Sequence, residues 1–268
     1  MTLALRMFAA DFLKQRKKVG TAVWSLVLVL APLLIFFIVR QVLHSSSEPH
    51  HAGLVGPTHP PAGGVAGYRD AVRLLALFFG PLAAILIGTD GGAGDVAAGV
   101  FRDLVVTGRS RVGLFFSRVP AALAMCWIVM LAGYLLTLVG TYALADGSAT
   151  PGAGLVVEGL FFTLLSTGVV CVVAVGFAAL TGSRPAALTV LIGWQLIASR
   201  ILESIEELGS SRRLILSQAI YHFSPIPLGE GRGPTVVTMS TATAILVIIG
   251  WLVVFAALGA WRTATVDA

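Results

Sequence analysis

The chain has 268 residues, of which 57% are hydrophobic and only 12% are charged, and its mean hydropathy is +0.91. Soluble domains carry about 25% charged residues, so this chain lacks the charge to cover a water-exposed surface, and the composition instead predicts a single membrane domain over residues 1–268. The net charge of +5 is interpreted first as membrane topology and not as nucleic-acid binding, and no basic run is interleaved with aromatic residues as single-strand binding requires.

The first eighteen residues predict an amphipathic helix that lies in the membrane interface as an elbow before the first span. An alternative is a basic tail that only fixes orientation. The aromatic Phe8 and Phe12 favour the helix, because they are costly to leave in water. Its predicted apolar face holds Leu5, Phe8, Ala9, Phe12 and Leu13, and its basic face holds Arg6, Lys14, Lys17 and Lys18.

Six apolar runs follow, and together they predict an all-α membrane protein with six transmembrane helices. Pro32 and Pro81 interrupt spans 1 and 2 and predict kinks that face protein, whereas Pro120 is expected in the first turn of span 3. The predicted spans are Val19–Val39, Ala71–Thr89, Val119–Leu144, Leu155–Leu180, Pro185–Ser199 and Val236–Trp261.

The loop over residues 44–67 is rich in Ser, His, Pro and Gly and is expected to be irregular. Imidazoles bind transition metals well, but this setting gives no fixed geometry, so no metal site is expected. The residues that suggest one are His44, His50, His51 and His59, with Glu48 and Asp70 nearby.

The segment over residues 200–235 predicts two short amphipathic helices, Arg200–Leu208 and Arg212–Phe223. Its acidic residues Glu203, Glu206 and Glu207 precede Arg212 and Arg213, which predicts a solvated charge pair between the two helices. A catalytic carboxylate dyad is the alternative.

Lysine and arginine predict the orientation in the membrane. With the N-terminus in the cytoplasm, eleven of the eighteen Lys and Arg residues lie inside and seven outside. This excess favours cytoplasmic N- and C-termini.

The sequence lacks the residues that several functions require. The central turns of the spans hold no Asp, Glu, Lys, Arg or His, so an ion-coupled transporter would lack coupling groups. There is no Walker A loop and no residue set for nucleophilic catalysis, and Cys126 and Cys171 lie in apolar runs. The chain is therefore not expected to be an enzyme or to hold a cofactor, and any directional work must use energy from another polypeptide.

Residues 90–118 form the most informative cytoplasmic segment. On a helix, Val96, Val100 and Leu104 align, while Asp95 and Arg102 stay polar. A short helix with an apolar stripe is suited to docking into a partner. The alternative is a basic loop that only enforces topology.

An acidic residue, a glycine four positions later and a basic-Ser-Arg motif before a span resemble the type-2 permeases of ATP-binding-cassette transporters. The layout of an elbow helix, six spans and a polar insertion between spans 5 and 6 is also similar. Val100 and Gly108 depart from the family's usual Thr and Pro. The matching residues are Asp95, Gly99, Arg109, Ser110, Arg111 and Arg118.

The resemblance implies a permease that pairs with an identical or related permease and recruits two cytosolic ATPase subunits, which hold ATP and Mg. It implies a coupling helix within residues 90–118 and helices within residues 200–235 that re-enter from the outer face and close the exit. The coupling residues would be Asp95, Val96, Gly99, Val100, Arg102, Leu104, Arg109, Ser110, Arg111 and Arg118.

Polar side chains inside the spans are candidates for a substrate path, and interhelical hydrogen bonding is the alternative role for them. Because few charged side chains are available to contact it, the cargo is expected to be amphiphilic or apolar. The candidates are Tyr134, Thr137, Thr141, Ser166, Thr167, Trp194 and Gln195.

Three functional hypotheses follow. The first is the permease of an exporter in a bacterial plasma membrane, moving a drug-like molecule or antibiotic, a lipid or a peptide outward. The second is a secondary transporter or channel, which needs ionisable groups or a polar filter. The third is a non-transporting anchor or assembly subunit of a larger complex.

Overall fold

A computed structural model describes residues 3–46, 60–97, 110–226 and 237–265, and every regular element within these ranges is a helix. A pre-span helix, Leu3–Lys17, comes first. Six helices long and apolar enough to cross a membrane follow, which confirms the predicted all-α fold and indicates a multi-pass membrane protein. These spans 1 to 6 are Val19–Ser45, Gly64–Gly94, Arg111–Ala143, Ala153–Thr181, Arg184–Ser204 and Thr241–Thr265.

Spans 2 and 5 each contain a wider helical turn. In span 2 the first π segment, Leu74–Phe79, separates α-helices Gly64–Arg73 and Gly80–Ala97. In span 5 the second π segment, Trp194–Ala198, separates Arg184–Gly193 from Ser199–Ser204. A 3-10 segment, Glu206–Leu214, and a short helix, Leu216–Tyr221, follow span 5. The predicted helices Arg200–Leu208 and Arg212–Phe223 therefore have different bounds.

Several predicted span boundaries are wrong because the helices run beyond their apolar cores. The helix of span 2 begins at Gly64 and continues to Ala97. Span 3 begins at Arg111, where the Ser110 hydroxyl accepts a hydrogen bond from the Gly113 N–H at 3.2 Å and caps the helix. Pro120 therefore lies inside the helix and not in its first turn.

Both described ends of the predicted loop over residues 44–67 contain helix. Helix occupies residues up to Ser45 and resumes at Gly64, and the His44 ring nitrogen Nε2 lies 3.0 Å from an Asp146 carboxylate oxygen. Glu48, His50, His51 and His59 lie outside the described residues.

Spans 2 and 4 form the centre of the bundle and make its most extensive helix contact. Gly88 and Gly92 permit this approach, because a Cβ added at Gly88 would lie 2.6 Å from the Cys171 carbonyl oxygen, and one at Gly92 would overlap the Val175 carbonyl. Small residues let membrane helices approach closely in this way. Spans 1, 5 and 6 are peripheral and largely exposed.

The spans alternate in direction, which gives the bundle two ends. At the Lys18 end, the Ser117 hydroxyl donates to Asp11 at 2.6 Å and ties the pre-span helix to span 3. At the Ser204 end, the Gly63 N–H donates to the Leu144 carbonyl at 2.9 Å. The connection between spans 2 and 3 leaves from the Lys18 end.

Candidate functional site

The first π segment arises at Gly80-Pro81. Proline has no N–H and its ring clashes with the preceding turn, and here the Gly80 N–H bonds back five residues to the Leu75 carbonyl. The Ala76 carbonyl is thereby released from its usual helical partner. The Ser166 hydroxyl of span 4 donates to it at 2.7 Å, so a neighbouring helix satisfies the freed group, as the predicted protein-facing kink requires.

The second π segment has the same arrangement without a proline. The Ser199 N–H bonds to the Trp194 carbonyl, five residues back, which releases the Gln195 carbonyl. The Ser199 hydroxyl then donates to that carbonyl at 3.2 Å. Single π turns inside α-helices occur frequently at functional sites.

Both π segments border one cavity of about 220 Å³. Spans 2, 4, 5 and 6 and the short helix Leu216–Tyr221 form its wall. Three aromatic rings from spans 5 and 6 line one side, with Trp194 and Trp251 centroids 6.1 Å apart and Trp251 stacked on Phe255 at 5.5 Å. Pro81, Ile85, Val170, Val173, Phe177 and Ile220 extend the apolar surface.

Most polar groups in the cavity wall already have protein partners. Ser166 and Ser199 hold the two freed carbonyls, Ser217 donates to Glu203, and Tyr221 accepts from Arg200. Within the described part of the chain, the Gln195 side-chain amide and the Trp194 indole N–H have no such partner. They are the polar groups left to a bound molecule.

A buried carboxylate lies behind the cavity at the Ser204 end. Glu203 is 2% exposed and accepts hydrogen bonds from Ser217 and from Arg200, the latter at 3.4 Å. Arg200 also donates to the Tyr221 hydroxyl at 2.5 Å and lies 5.3 Å from the Phe78 ring centroid. Burial raises the pKa of Tyr221 above its usual range. Glu203 is therefore packed into protein, and the prediction of a solvated pair is wrong for it.

A second buried carboxylate lies at the Lys18 end. Asp90 is 5% exposed, and its oxygens lie 3.0 Å from the Lys18 ammonium and 3.3 Å from the Arg184 guanidinium. This cluster joins the start of span 1, the far part of span 2 and the start of span 5. Burial and the charge of Arg118 lower the pKa of nearby Lys14.

The predicted coupling residues divide into three groups. Gly99, Val100, Arg102, Leu104 and Arg109 lie outside the described residues. Asp95 and Val96 belong to the last turn of the span 2 helix.

The remaining three coupling residues lie at the start of span 3, from its capping residue Ser110 to Arg118 in its third turn. Ser110 caps its helix, and Arg111 donates to the Ala264 carbonyl at 3.4 Å. Arg118 is 4% exposed and thus lies within the bundle.

Three of the predicted substrate-path residues, Ser166, Trp194 and Gln195, come together in the cavity. The other four are buried elsewhere and do not line it. Tyr134 bonds to Tyr68 at 2.6 Å, and the Thr137 hydroxyl bonds within its own helix. Thr141 is fully buried, and Thr167 bonds to the Thr163 carbonyl at 2.7 Å.

The sequence interpretation missed Ser199, Ser217, Tyr221, Trp251 and Phe255 as cavity residues. One signal was available: Ser217 and Tyr221, like Trp251 and Phe255, are four residues apart and so share a helix face. Their convergence with span 2 depends on tertiary packing. Comparison of the chain with protein-family models and with curated proteins finds no match.

Proposed function

We propose that this chain is the membrane permease subunit of an ATP-binding-cassette exporter. It moves an amphiphilic or apolar small molecule, lipid or peptide outward, using ATP hydrolysed with Mg by separate cytosolic subunits. The observation that carries the proposal is the cavity between spans 2, 4, 5 and 6, whose described lining has no charged side chain. Such a space suits an uncharged or largely apolar cargo and not a permeating ion.

The layout of the chain supports the same function. A helix precedes span 1, six spans follow, and short helical segments follow span 5, as in the type-2 permeases that the 95–118 motif resembles. In the proposed exporter the pre-span helix lies in the interface as an elbow. The segments after span 5 re-enter from the outer face and close the exit. The protein resides in a bacterial plasma membrane with both termini in the cytoplasm.

The span 2 helix offers a direct route from the coupling segment to the cavity. Gly80–Ala97 is one continuous α-helix. Pro81 and Ile85, near its start, border the cavity, and its end leads into the coupling segment. A displacement imposed by an ATPase on residues 95–111 would therefore move the cavity wall. Asp90 anchors the same helix to Lys18 and Arg184.

Recruitment of the ATPase tests the proposal. Leu104 lies on the predicted apolar stripe, and truncating such an anchor at an interface centre commonly costs about 2 kcal/mol or more, about a thirtyfold loss of affinity. Leu104→Asp should therefore abolish co-purification of the ATPase while the permease remains in the membrane. Arg109→Ala should weaken association only mildly and make it more sensitive to salt.

Ala98→Asp is the matched control, because it adds the same charge on the predicted polar face beside Asp95 and Arg102. The measurement is the amount of ATPase retained, by mass spectrometry, when tagged permease is purified from membranes. Retention of the ATPase by Leu104→Asp at the wild-type level would refute the coupling assignment.

A further inference from the structure

We propose that the cavity binds an uncharged, ring-sized and largely apolar molecule that carries one hydrogen-bond acceptor such as a ketone, ester or amide carbonyl. Gln195 is the residue that recognises this acceptor. As a statement about the cargo, this inference rests on the proposed exporter function. As a statement about a ligand of this chain, it requires no ATPase.

The size and surface of the cavity define the bulk of the ligand. At about 220 Å³ it is larger than a cavity of about 150 Å³ that admits benzene and smaller than typical drug-sized pockets of about 300–1,000 Å³. Trp194, Trp251 and Phe255 contribute aromatic rings to its wall. Aromatic rings stack favourably on one another, so a flat ring system fits this wall.

The polar groups of the cavity wall define the hydrogen-bonding group of the ligand. The hydroxyls of Ser166, Ser199 and Ser217 are engaged with protein acceptors. The Gln195 amide and the Trp194 indole N–H, adjacent in the second π segment, have no hydrogen-bond partner within the described residues. A hydrogen bond between the amide N–H of a glutamine in apolar surroundings and an acceptor on the ligand stabilises the complex.

Charge is excluded by the same lining. Glu203 and Arg200 lie close by, but each is already paired with the other and with Ser217 or Tyr221. An ionised ligand in the cavity would therefore be desolvated without a counter-charge, at a cost of several kcal/mol. A bare hydrocarbon, such as a lipid acyl chain, would leave the Gln195 amide without a partner.

Three probes of similar shape separate these alternatives: 2-acetylnaphthalene, which carries a ketone; 2-ethylnaphthalene, which carries none; and 2-naphthoate, which is an anion. The chain is labelled with 5-fluorotryptophan, purified in lipid nanodiscs without an ATPase, and titrated by fluorine NMR. It has five tryptophans, of which Trp194 and Trp251 line the cavity. Trp24, Trp127 and Trp261 do not line it and report non-specific partitioning into lipid.

The ketone should shift the Trp194 and Trp251 resonances saturably and bind about fivefold more tightly than the hydrocarbon, as one neutral hydrogen bond permits. The anion should bind on the order of a hundredfold more weakly. Gln195→Leu should abolish the preference for the ketone and preserve binding of the hydrocarbon, which also shows that the variant is folded. Gln41→Leu, the same substitution in span 1, should retain the preference.

The inference is overturned if all five resonances respond alike, if the anion binds as well as the ketone, or if the hydrocarbon equals the ketone on the unsubstituted chain. It is also overturned if Gln195→Leu retains the ketone preference. Ligand binding without ATPase recruitment would refute the proposed exporter function but not the proposed ligand site. ATPase recruitment without ligand binding would refute the proposed ligand site but not the proposed exporter function.

Discussion

A buried carboxylate lies beside each end of span 5, one on span 2 and one on span 5 itself, and the two are stabilised differently. Asp90, at the Lys18 end, contacts two cations that belong to two other helices. Glu203, at the Ser204 end, contacts one cation from its own helix and a hydroxyl from the short helix. The first arrangement has a spare cation and joins distant parts of the chain. Within the described residues the second has one cation on the carboxylate, while Arg212 donates to the Glu203 backbone carbonyl at 3.3 Å, and the arrangement shapes a local turn beside the cavity.

The largest effect on stability should follow loss of the single cation at Glu203. Arg200→Met leaves this carboxylate buried without its salt-bridge partner, and breaking a buried pair in this way costs about 3 kcal/mol. The free energy of unfolding in mixed micelles measures the effect. Arg213→Met, at an exposed arginine in the same region, should change it by less than about 0.5 kcal/mol.

Adding Glu203→Gln to Arg200→Met should recover most of the lost stability, because the buried group is then neutral. A double variant no more stable than Arg200→Met would show that Arg200 acts through its packing on Phe78 and Tyr221 instead.

An intermediate effect is expected where the hydroxyl that holds a freed carbonyl is removed. Ser166→Ala leaves the Ala76 carbonyl without its interhelical partner and should cost about 1–2 kcal/mol. Ser199→Ala removes a bond within one helix and should cost about half a kcal/mol. The same unfolding measurement compares the two, and a larger loss for Ser199→Ala would contradict the assignment of Ser166 as the essential partner of the first π segment.

The smallest effect should follow loss of one of the two cations at Asp90. Arg184 is about one third exposed, and Lys18 remains on the carboxylate, so Arg184→Met should cost less than about 1 kcal/mol. Lys18→Met should behave similarly. Their combination should cost more than the sum of the two, because the buried carboxylate then has no cation. Additive losses would show that the two cations do not substitute for each other.

Much of the fold could be predicted from the sequence because six apolar runs are a strong signal in a chain with so little charge. The helix ends could not be predicted in the same way. Asp70 and Arg118 fell outside the predicted spans, but the bundle accommodates both within helices: Asp70 pairs with Arg40 at 2.5 Å, for example. Pairing between helices is set by tertiary packing and has no local signature.

The site was predictable in its parts and not in its assembly. Gly80-Pro81 predicted a kink that faces protein, and Ser166, Trp194 and Gln195 were already candidates for the substrate path. Which hydroxyl bonds to the freed carbonyl depends on how closely spans 2 and 4 approach each other. The second π segment contains no proline, so the sequence gives no local signal for it. The candidates on span 3 instead form structural hydrogen bonds, as with Tyr134 and Tyr68.

The hydrogen bond from Ser166 to the Ala76 carbonyl also constrains the order in which the protein can be assembled during synthesis. The two residues are 90 positions apart in the chain, and ribosomes add about 5–20 residues per second. Span 2 thus leaves the ribosome roughly 5–20 seconds before its partner exists. During that interval its released carbonyl would be unsatisfied in hydrocarbon. Pairing with span 4 removes this cost, so entry of spans 2 and 4 into the lipid together is favoured over entry of span 2 alone.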